Sequence, residues 1–252
     1  MKDLPVERRK RILELLDGQG SIRTSELARL LGVSTPTVRR DLRALAAQHL
    51  VEYSHGGASP RRSGTAQEPP FAVKARLMRA EKERIAEAAA RMVAAGSTVI
   101  LDSGSTTLAL ARRLAGHRIT LIALDVVVAQ AAAADPTEVL VVGGRVRNGL
   151  YSVVGPWTED ILRGVFADVF FLAADAVDDG GVTNSTVDEA AVKRLAIGVA
   201  REVVLVADHT KFGRKALAHV CQLDQLGAVV TDAGIGPYEA VLRERVKQVV
   251  IA

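Results

Sequence analysis

Ser34-Thr-Pro-Thr-Val-Arg-Arg-Asp-Leu-Arg-Ala-Leu45 decides how the first quarter of this chain folds. Ser34 is a helix N-cap by type, its hydroxyl able to accept an orphan backbone N–H. Pro36 falls in the first turn, where its missing N–H does little harm. Val38, Leu42 and Leu45 recur at spacings of four and three and so share one helix face. Arg39, Arg40 and Arg43 fall off that face, and Ser34, Thr35 and Thr37 give the helix a small, hydroxylated start. Such a helix is either a solvated basic surface or one shaped for a major groove. In a groove, arginine clamps guanine edges in bidentate fashion and neutralises phosphates.

The flanking sequence favours the groove. Pro5 opens a helix to about Asp17, ended by Gly18 and Gly20, with Ile12, Leu13, Leu15 and Leu16 on its apolar side. Thr24 or Ser25 caps a second helix through Leu31, and Gly32 supplies the tight turn before Ser34. Helix, glycine turn and arginine-bearing helix form the helix-turn-helix pattern. Leu50-Val-Glu-Tyr-Ser-His-Gly-Gly-Ala58 then predicts a short strand and turn in the place of a β-wing. Charge supports this division. Residues 1–62 carry 12 Lys and Arg against 7 Asp and Glu, whereas the remainder carries 21 against 22. A basic head on a neutral body is the footprint of a nucleic-acid-binding module. An anionic membrane fits less well, because the basic residues do not lie on one amphipathic helix with exposed aromatics.

Residues 8–58 resemble the winged helix-turn-helix of the DeoR family of bacterial transcription regulators. The resemblance rests on Ser25-Glu-Leu-Ala28, Val33-Ser34, Thr37-Val-Arg-Arg-Asp-Leu42 and His55-Gly-Gly-Ala58. It implies double-stranded operator DNA as partner, with Ser34, Thr35, Thr37, Arg39, Arg40, Arg43, Tyr53 and His55 as the DNA-binding set. Two residues depart from the family pattern at the wing: His49 replaces a glycine and Tyr53 an arginine. A tyrosine hydroxyl still bonds a phosphate oxygen. Asp41 would repel phosphate, so its expected role is to pair with Arg40, Arg43 or a first-helix arginine and fix their direction.

Ser59-Pro-Arg-Arg-Ser-Gly-Thr-Ala-Gln-Glu-Pro-Pro70 has no apolar period and reads as a linker, with Arg61 and Arg62 as solvated charges or further phosphate contacts. A helix is expected from Phe71, carrying Arg79, Lys82 and Arg84 towards Met92. Beyond Gly96 short apolar runs alternate with helical patterns. Strands are expected at Thr98–Leu101, Ile119–Leu124, Val139–Val142, Val169–Ala173, Val203–Ala207, Ala228–Thr231 and Gln248–Ile251. Helices are expected at about Thr107–Leu114, Val126–Ala134, Trp157–Arg163, Val187–Arg201 and Tyr238–Arg245. Continuous apolar strands separated by helices predict a Rossmann-like, doubly wound parallel sheet. The organisation is thus a winged helix-turn-helix at 1–58, a linker at 59–70 and an α/β effector domain at 71–252.

In such sheets a ligand sits beyond the carboxyl ends of the strands. Asp102-Ser-Gly-Ser-Thr-Thr107 lies between a strand and a helix. Gly104 permits close backbone approach, and Ser105, Thr106 and Thr107 offer hydroxyls beside free N–H groups, a geometry suited to phosphate or to a plain helix cap. It is neither a P-loop nor a Gly-x-Gly-x-x-Gly turn. Gly143 and Gly144 end the third strand, ahead of Arg145 and Arg147. Asp175 follows the fourth strand, and Asp208-His-Thr-Lys-Phe-Gly213 follows the fifth, where Lys211 supplies an ammonium and His209 reads as a loop residue. Convergent polar groups and a cation describe a small, anionic, hydroxylated ligand.

Residues 71–252 are similar to the effector domain of the same family, related in fold to ribose-5-phosphate isomerase. The matching parts are Asp102–Thr107, Gly143-Gly144, Ser152–Gly155, Glu189 with Lys193-Arg194, and Asp208–Gly213. The resemblance implies a phosphorylated sugar as effector, with Asp102, Gly104, Ser105, Thr106, Thr107, Gly143, Asp175, Glu189 and Lys211 around it. Ala123-Leu124 stands where the family commonly has Thr-Asn, which removes a polar contact; Asp125 either takes it over or caps the next helix. The rival reading is a sugar-phosphate isomerase fused to a DNA-binding module, with Glu189 as base. Isomerases carry a lysine in a glycine-rich turn upstream of that glutamate, and Gly180–Asp188 has none.

What remains is set by small counts. Cys221 is the single cysteine, the histidines are scattered, and neither a metal site nor a cofactor is expected. The first residues lack a secretory core, and no apolar run reaches membrane-spanning length, so a cytoplasmic place is expected. One recognition helix covers too few base pairs to be selective, which implies a homodimer or homotetramer.

Overall fold

The computed structural model describes residues 5–47, 50–54, 56–60 and 71–252, in two compact units, residues 1–70 and 71–252. His49, His55, Arg61 and Arg62, each singled out above, lie outside the described residues.

The first unit runs α1 (Pro5–Gln19), β1 (Ile22–Arg23), α2 (Thr24–Leu31), α3 (Thr35–Ala47), β2 (Val51–Ser54) and β3 (Gly57–Pro60). The three short strands pair antiparallel in the order β1-β3-β2, which is the wing. Ile12, Leu16, Leu27, Val38, Leu42 and Leu45 close a small core beneath it. Three local expectations change. The first helix passes through Gly18 to Gln19 and stops at Gly20, whose N–H donates to the Leu16 carbonyl at 2.9 Å. Neither Thr24 nor Ser25 caps α2: Arg23 precedes the helix without a side-chain cap, and the Thr24 hydroxyl is buried with no partner. β3 also reaches Pro60, two residues into the stretch read as linker.

The second unit opens with α4 (Phe71–Lys74) and α5 (Arg79–Ala90). The single helix expected from Phe71 is broken between them, because Met78 adopts a left-handed φ of 50°. Then follow β4 (Thr98–Leu101), α6 (Ser105–Leu114), β5 (Thr120–Ala123), α7 (Val126–Ala132), β6 (Glu138–Val141), β7 (Arg145–Val146), β8 (Val153–Val154), α8 (Pro156–Arg163) and β9 (Ala167–Leu172). The chain continues through β10 (Ala176–Asp178), β11 (Gly181–Asn184), α9 (Val187–Val199), β12 (Ala200–Val206), β13 (Ala218–Cys221), β14 (Ala228–Thr231), α10 (Tyr238–Arg245) and β15 (Gln248–Ile251).

Seven strands form one parallel sheet in the order β15-β14-β12-β9-β4-β5-β6. Neighbouring residues of a strand enter opposite cores, as the strand period requires. Phe170, Leu205 and Ile100 join a cluster with Leu162, Ala190, Ala196 and Leu242 from α8, α9 and α10. Phe171, Val204 and Leu101 join the other, with Ile85, Leu108 and Val128 from α5, α6 and α7. The sheet is therefore doubly wound. It grows outward from β4 to β6, and the chain then returns to lay β9 against the other side of β4. That reversal between β4 and β9 is the switch point where such sheets open a crevice.

Candidate functional site

Two surfaces carry the predicted residues, one on each unit. On α3, Ser34 caps the helix as expected: its Oγ accepts from the Thr37 N–H at 3.4 Å and lies 2.8 Å from the Thr37 hydroxyl. Gly32 ends α2 at a φ of 63°, a turn that a side chain resists. Val38, Leu42 and Leu45 are buried, which turns Arg39, Arg40 and Arg43 outward, all three exposed beside exposed Ser34 and half-buried Thr35 and Thr37. Tyr53 stands half-buried on β2 against the small core. Asp41 is 1% exposed and takes its partners from the first helix, Arg8 Nε at 2.6 Å and Arg9 Nε at 3.0 Å. The carboxylate thus ties α3 to α1 and leaves the outward arginines to other work.

On the second unit, polar groups gather at the carboxyl ends of three adjacent strands, β4, β9 and β12. Asp102, just past β4, stitches the switch point. Its Oδ2 accepts from the Ala173 N–H at 2.9 Å and from Lys193 Nζ at 2.7 Å, and its Oδ1 accepts from the Ser103 N–H. Lys193 also donates to the Ala173 carbonyl at 2.8 Å. Gly104 then caps α6 at a φ of 142°, with a built Cβ falling 3.4 Å from that of Ala173. The first turn of α6 thereby presents the N–H groups of Ser105, Thr106 and Thr107 without intrahelical partners. The Thr107 hydroxyl is turned inward, donating to the Gly104 carbonyl at 3.0 Å, so this threonine holds the turn and offers its backbone alone.

Past β9, Asp175 accepts from the Ser185 N–H at 2.8 Å and faces Lys74 at 4.0 Å. Past β12, Asp208 caps a short turn that lifts Lys211 to half-exposure, and its Oδ2 lies 3.9 Å from Lys82. His209 in that turn is held by Asp232, Nδ1 to Oδ2 at 2.6 Å. No carboxylate comes within 4.0 Å of the Lys211 ammonium among the described residues.

The DeoR-like helix-turn-helix domain pattern matches residues 8–63, and the DeoR C terminal sensor domain pattern matches residues 78–233. The chain belongs to the DeoR family of transcription regulators. It is 33% identical to the glycerol-3-phosphate regulon repressor of Escherichia coli K12, over 90% of each chain. It is 35% identical to the lactose phosphotransferase system repressor of Staphylococcus aureus NCTC 8325, over 90% of this chain and 91% of that one. Among solved structures, ribose 5-phosphate isomerase A of Methanocaldococcus jannaschii overlaps 54% of this chain and 55% of its own at a TM-score of 0.41 and 17% identity.

In this DeoR-family chain the expected residues fall into two groups. Asp102, Gly104, Ser105, Thr106, Thr107, Asp175 and Lys211 stand together on the three central strands. Gly143 ends β6, two strands from β4, and its carbonyl is taken by the Thr158 hydroxyl at 2.7 Å. Glu189 is buried in the first turn of α9, bound to Arg147 at 2.6 Å and to the Asn184 amide at 2.6 Å. Arg145 meets Asp188 instead, at 2.5 Å. Asp125 is a helix cap: Oδ1 accepts from the N–H groups of Val127 and Val128 at 2.7 and 3.1 Å, while Oδ2 is buried without a partner.

Charge explains the arrangement. Burial opposes ionisation of Asp175 and Glu189, yet both carboxyls sit below the usual carboxylate range. Lys74, Lys211 and Lys193 overcome burial at the first, and Lys193 with Arg147 at the second. Lys193 is buried too, and Asp102, Glu189 and Asp175 together keep it an ammonium. Burial lowers Lys82 to about 8 despite Asp208 and raises Asp125 to about 6. Lys74, Lys82 and Lys193 were absent from the set expected to contact the effector. For Lys193 a signal existed, since Glu189 and Lys193 are four apart on one helix face. Lys74 and Lys82 come from elements remote in sequence, and only the fold brings them here.

Among the described residues no helix is long and apolar enough to cross a membrane, and no three His, Cys, Asp or Glu side chains group as a metal site.

Proposed function

We propose that this chain is a transcriptional repressor of carbohydrate-metabolism genes, binding operator DNA as a homodimer or homotetramer in the cytoplasm and releasing it when a phosphorylated sugar or polyol enters the crevice. The observation that carries the effector half is Lys211. It is a half-exposed ammonium with no carboxylate within ion-pair reach among the described residues, on a strand end two strands from the glycine-capped N-terminus of α6. An anion is the ligand that such a cation and such a helix start favour. Ser105 and Thr106 lie in the same helix start, and Asp175 offers a carboxylate to sugar hydroxyls. The relatives' names, which print glycerol-3-phosphate and a lactose phosphotransferase system, support the same ligand class.

For the DNA half, Arg39, Arg40 and Arg43 with the Ser34–Thr37 start would enter the major groove, and Tyr53 and His55 would contact the backbone at the wing. The isomerase reading loses support from the pairing of Glu189, an anion already held by Arg147 and Asn184 inside the protein. Titration of the full-length protein with ribose 5-phosphate, glycerol 3-phosphate and fructose 1-phosphate, followed by DNA binding to its own upstream promoter fragment, tests the proposal. Saturable binding that lowers DNA affinity is expected. Turnover of any of these esters, or DNA affinity indifferent to all of them when one binds, would refute it.

A further inference from the structure

The three short strands of the wing hold a single Lys or Arg, Arg23 on β1, and the pairing register fixes the face it takes. Ile22, Ala58 and Tyr53 lie in one row across the strands and turn to the small core. Arg23, Gly57 and Ser54 form the next row. Arg23 and Ser54 therefore point away from that core, as the strand period requires, and both are exposed. β1 comes this close because Gly57 has no side chain: a Cβ there would fall 2.5 Å from the Ile22 carbonyl oxygen.

The protein itself does not use this guanidinium. Arg8 and Arg9 take Asp41, whereas Arg23 has no ion pair among the described residues. Glu52 shares its face but sits opposite Ser59, one row further from the turn, and Glu26 is exposed in the first turn of α2; neither pairs with it. A concavity on this face is lined by Ser21, Arg23, Glu52, Ser54, Gly57 and Ser59. Arg23 is also the residue from which α2 starts. No side chain caps that helix, and the Thr24 N–H is taken by the Gly56 carbonyl at 3.3 Å, which leaves those of Ser25 and Glu26 without intrahelical partners. In a helix-turn-helix the first helix of the pair crosses the phosphate backbone while the second lies in the groove. Here that first helix is α2, and it begins at an exposed cation.

We propose that Arg23 binds a phosphate diester of the operator backbone, so that the outer face of the wing and the start of α2 hold the strand beside the groove that α3 reads. The inference rests on the DNA-binding reading of this unit and extends its residue set to an arginine outside α3. The guanidinium is a forked donor matched to phosphate oxygens, and Ser54 in the same row adds a hydroxyl. Such a contact fixes register and carries no sequence information, which separates the task of Arg23 from that of Arg40 on α3.

The test uses full-length wild type with Arg23→Met, Arg23→Lys and Arg112→Met, the last an exposed arginine on α6 of the other unit. Each is titrated against the protein's own upstream promoter fragment and a random duplex of equal length over a range of salt, beside an unfolding midpoint. Arg23→Met should weaken both duplexes by the same factor, about tenfold, with its midpoint unchanged. The slope of log affinity against log salt should fall by about 0.9 for each subunit bound. Arg23→Lys should keep the slope and most of the affinity, and Arg112→Met should match the wild type. Wild-type affinity and slope in Arg23→Met would remove Arg23 from the interface and leave the recognition helix its role. A loss confined to the promoter fragment, or an equal loss in Arg112→Met, would replace the phosphate contact by base reading or bulk charge and overturn the inference. A lowered midpoint with weaker binding in both Arg23 variants would make the residue a structural tie and overturn it as well. If the wild type binds neither duplex, the DNA-binding reading itself falls and this inference with it.

Discussion

At the scale of single residues, Asp41 and Arg40 are neighbours in sequence with separable tasks. Asp41 is buried against two first-helix guanidiniums, and Arg40 is exposed on the outer surface of the same helix. Asp41→Ala should cost about 2–3 kcal/mol in urea unfolding, because it removes the buried carboxylate that Arg8 and Arg9 share and that ties α3 to α1. Arg40→Ala should leave stability within about 0.5 kcal/mol, since it breaks no buried contact. It should still weaken operator binding by about 1–3 kcal/mol and flatten the salt dependence, read by fluorescence anisotropy. A second pair of outcomes concerns Asp125. Its carboxyl sits near 6 when folded, above its unfolded value, so the folded state holds the proton longer and stability falls as pH rises from about 4 to about 6. The slope amounts to about 3 kcal/mol at most, and Asp125→Asn, which keeps an oxygen for the helix cap, should abolish it. Unfolding midpoints at pH 4, 5, 6 and 7 would show the difference. Asp175 and Glu189 work the other way: their stabilising effect is present above their unfolded values and is lost only as pH falls below them.

At the scale of elements, the sheet was legible because its strands are short, nearly unbroken apolar runs, the inner ones buried on both faces. Ala228–Thr231, Gln248–Ile251 and Tyr238–Arg245 fall where they are expected to the residue. The three strands β10, β11 and β13 were not foreseen: they form an antiparallel sheet from short, mixed sequences that carry no clean period. The break at Met78 also escaped notice, because nothing in Phe71–Met92 is a helix breaker. Lys82, tied to the carbonyls of Lys74 and Leu77, accompanies that break. The residues that line the candidate crevice were readable in part. Asp102, Gly104 and Lys211 are marked by their place at strand ends, whereas Lys74 and Lys193 reach the same crevice from helices. Gly104→Ala should strain the start of α6 by about 1–3 kcal/mol, because φ near 142° is open to glycine alone. Calorimetry should show it losing phosphate affinity even where the fold survives. Lys193→Met should cost about 3–5 kcal/mol, since it leaves Asp102 buried and uncompensated, and loss of the cooperative thermal transition would be the sign.

At the scale of the whole molecule, a basic head and a neutral body with a crevice proposed to take an anion make a switch only if the two are energetically coupled. Coupling of about 1–3 kcal/mol would change operator affinity roughly 5- to 150-fold, and by reciprocity operator would weaken effector binding by the same factor. The decisive measurement is anisotropy of a labelled promoter fragment with the full-length protein, over a range of salt, with and without a saturating sugar phosphate. The expected result is salt-sensitive binding that the sugar phosphate weakens at least fivefold, with Lys211→Met binding DNA normally but no longer responding. Binding that ignores salt, or a Lys211→Met protein that still releases DNA at the wild-type effector concentration, would contradict it.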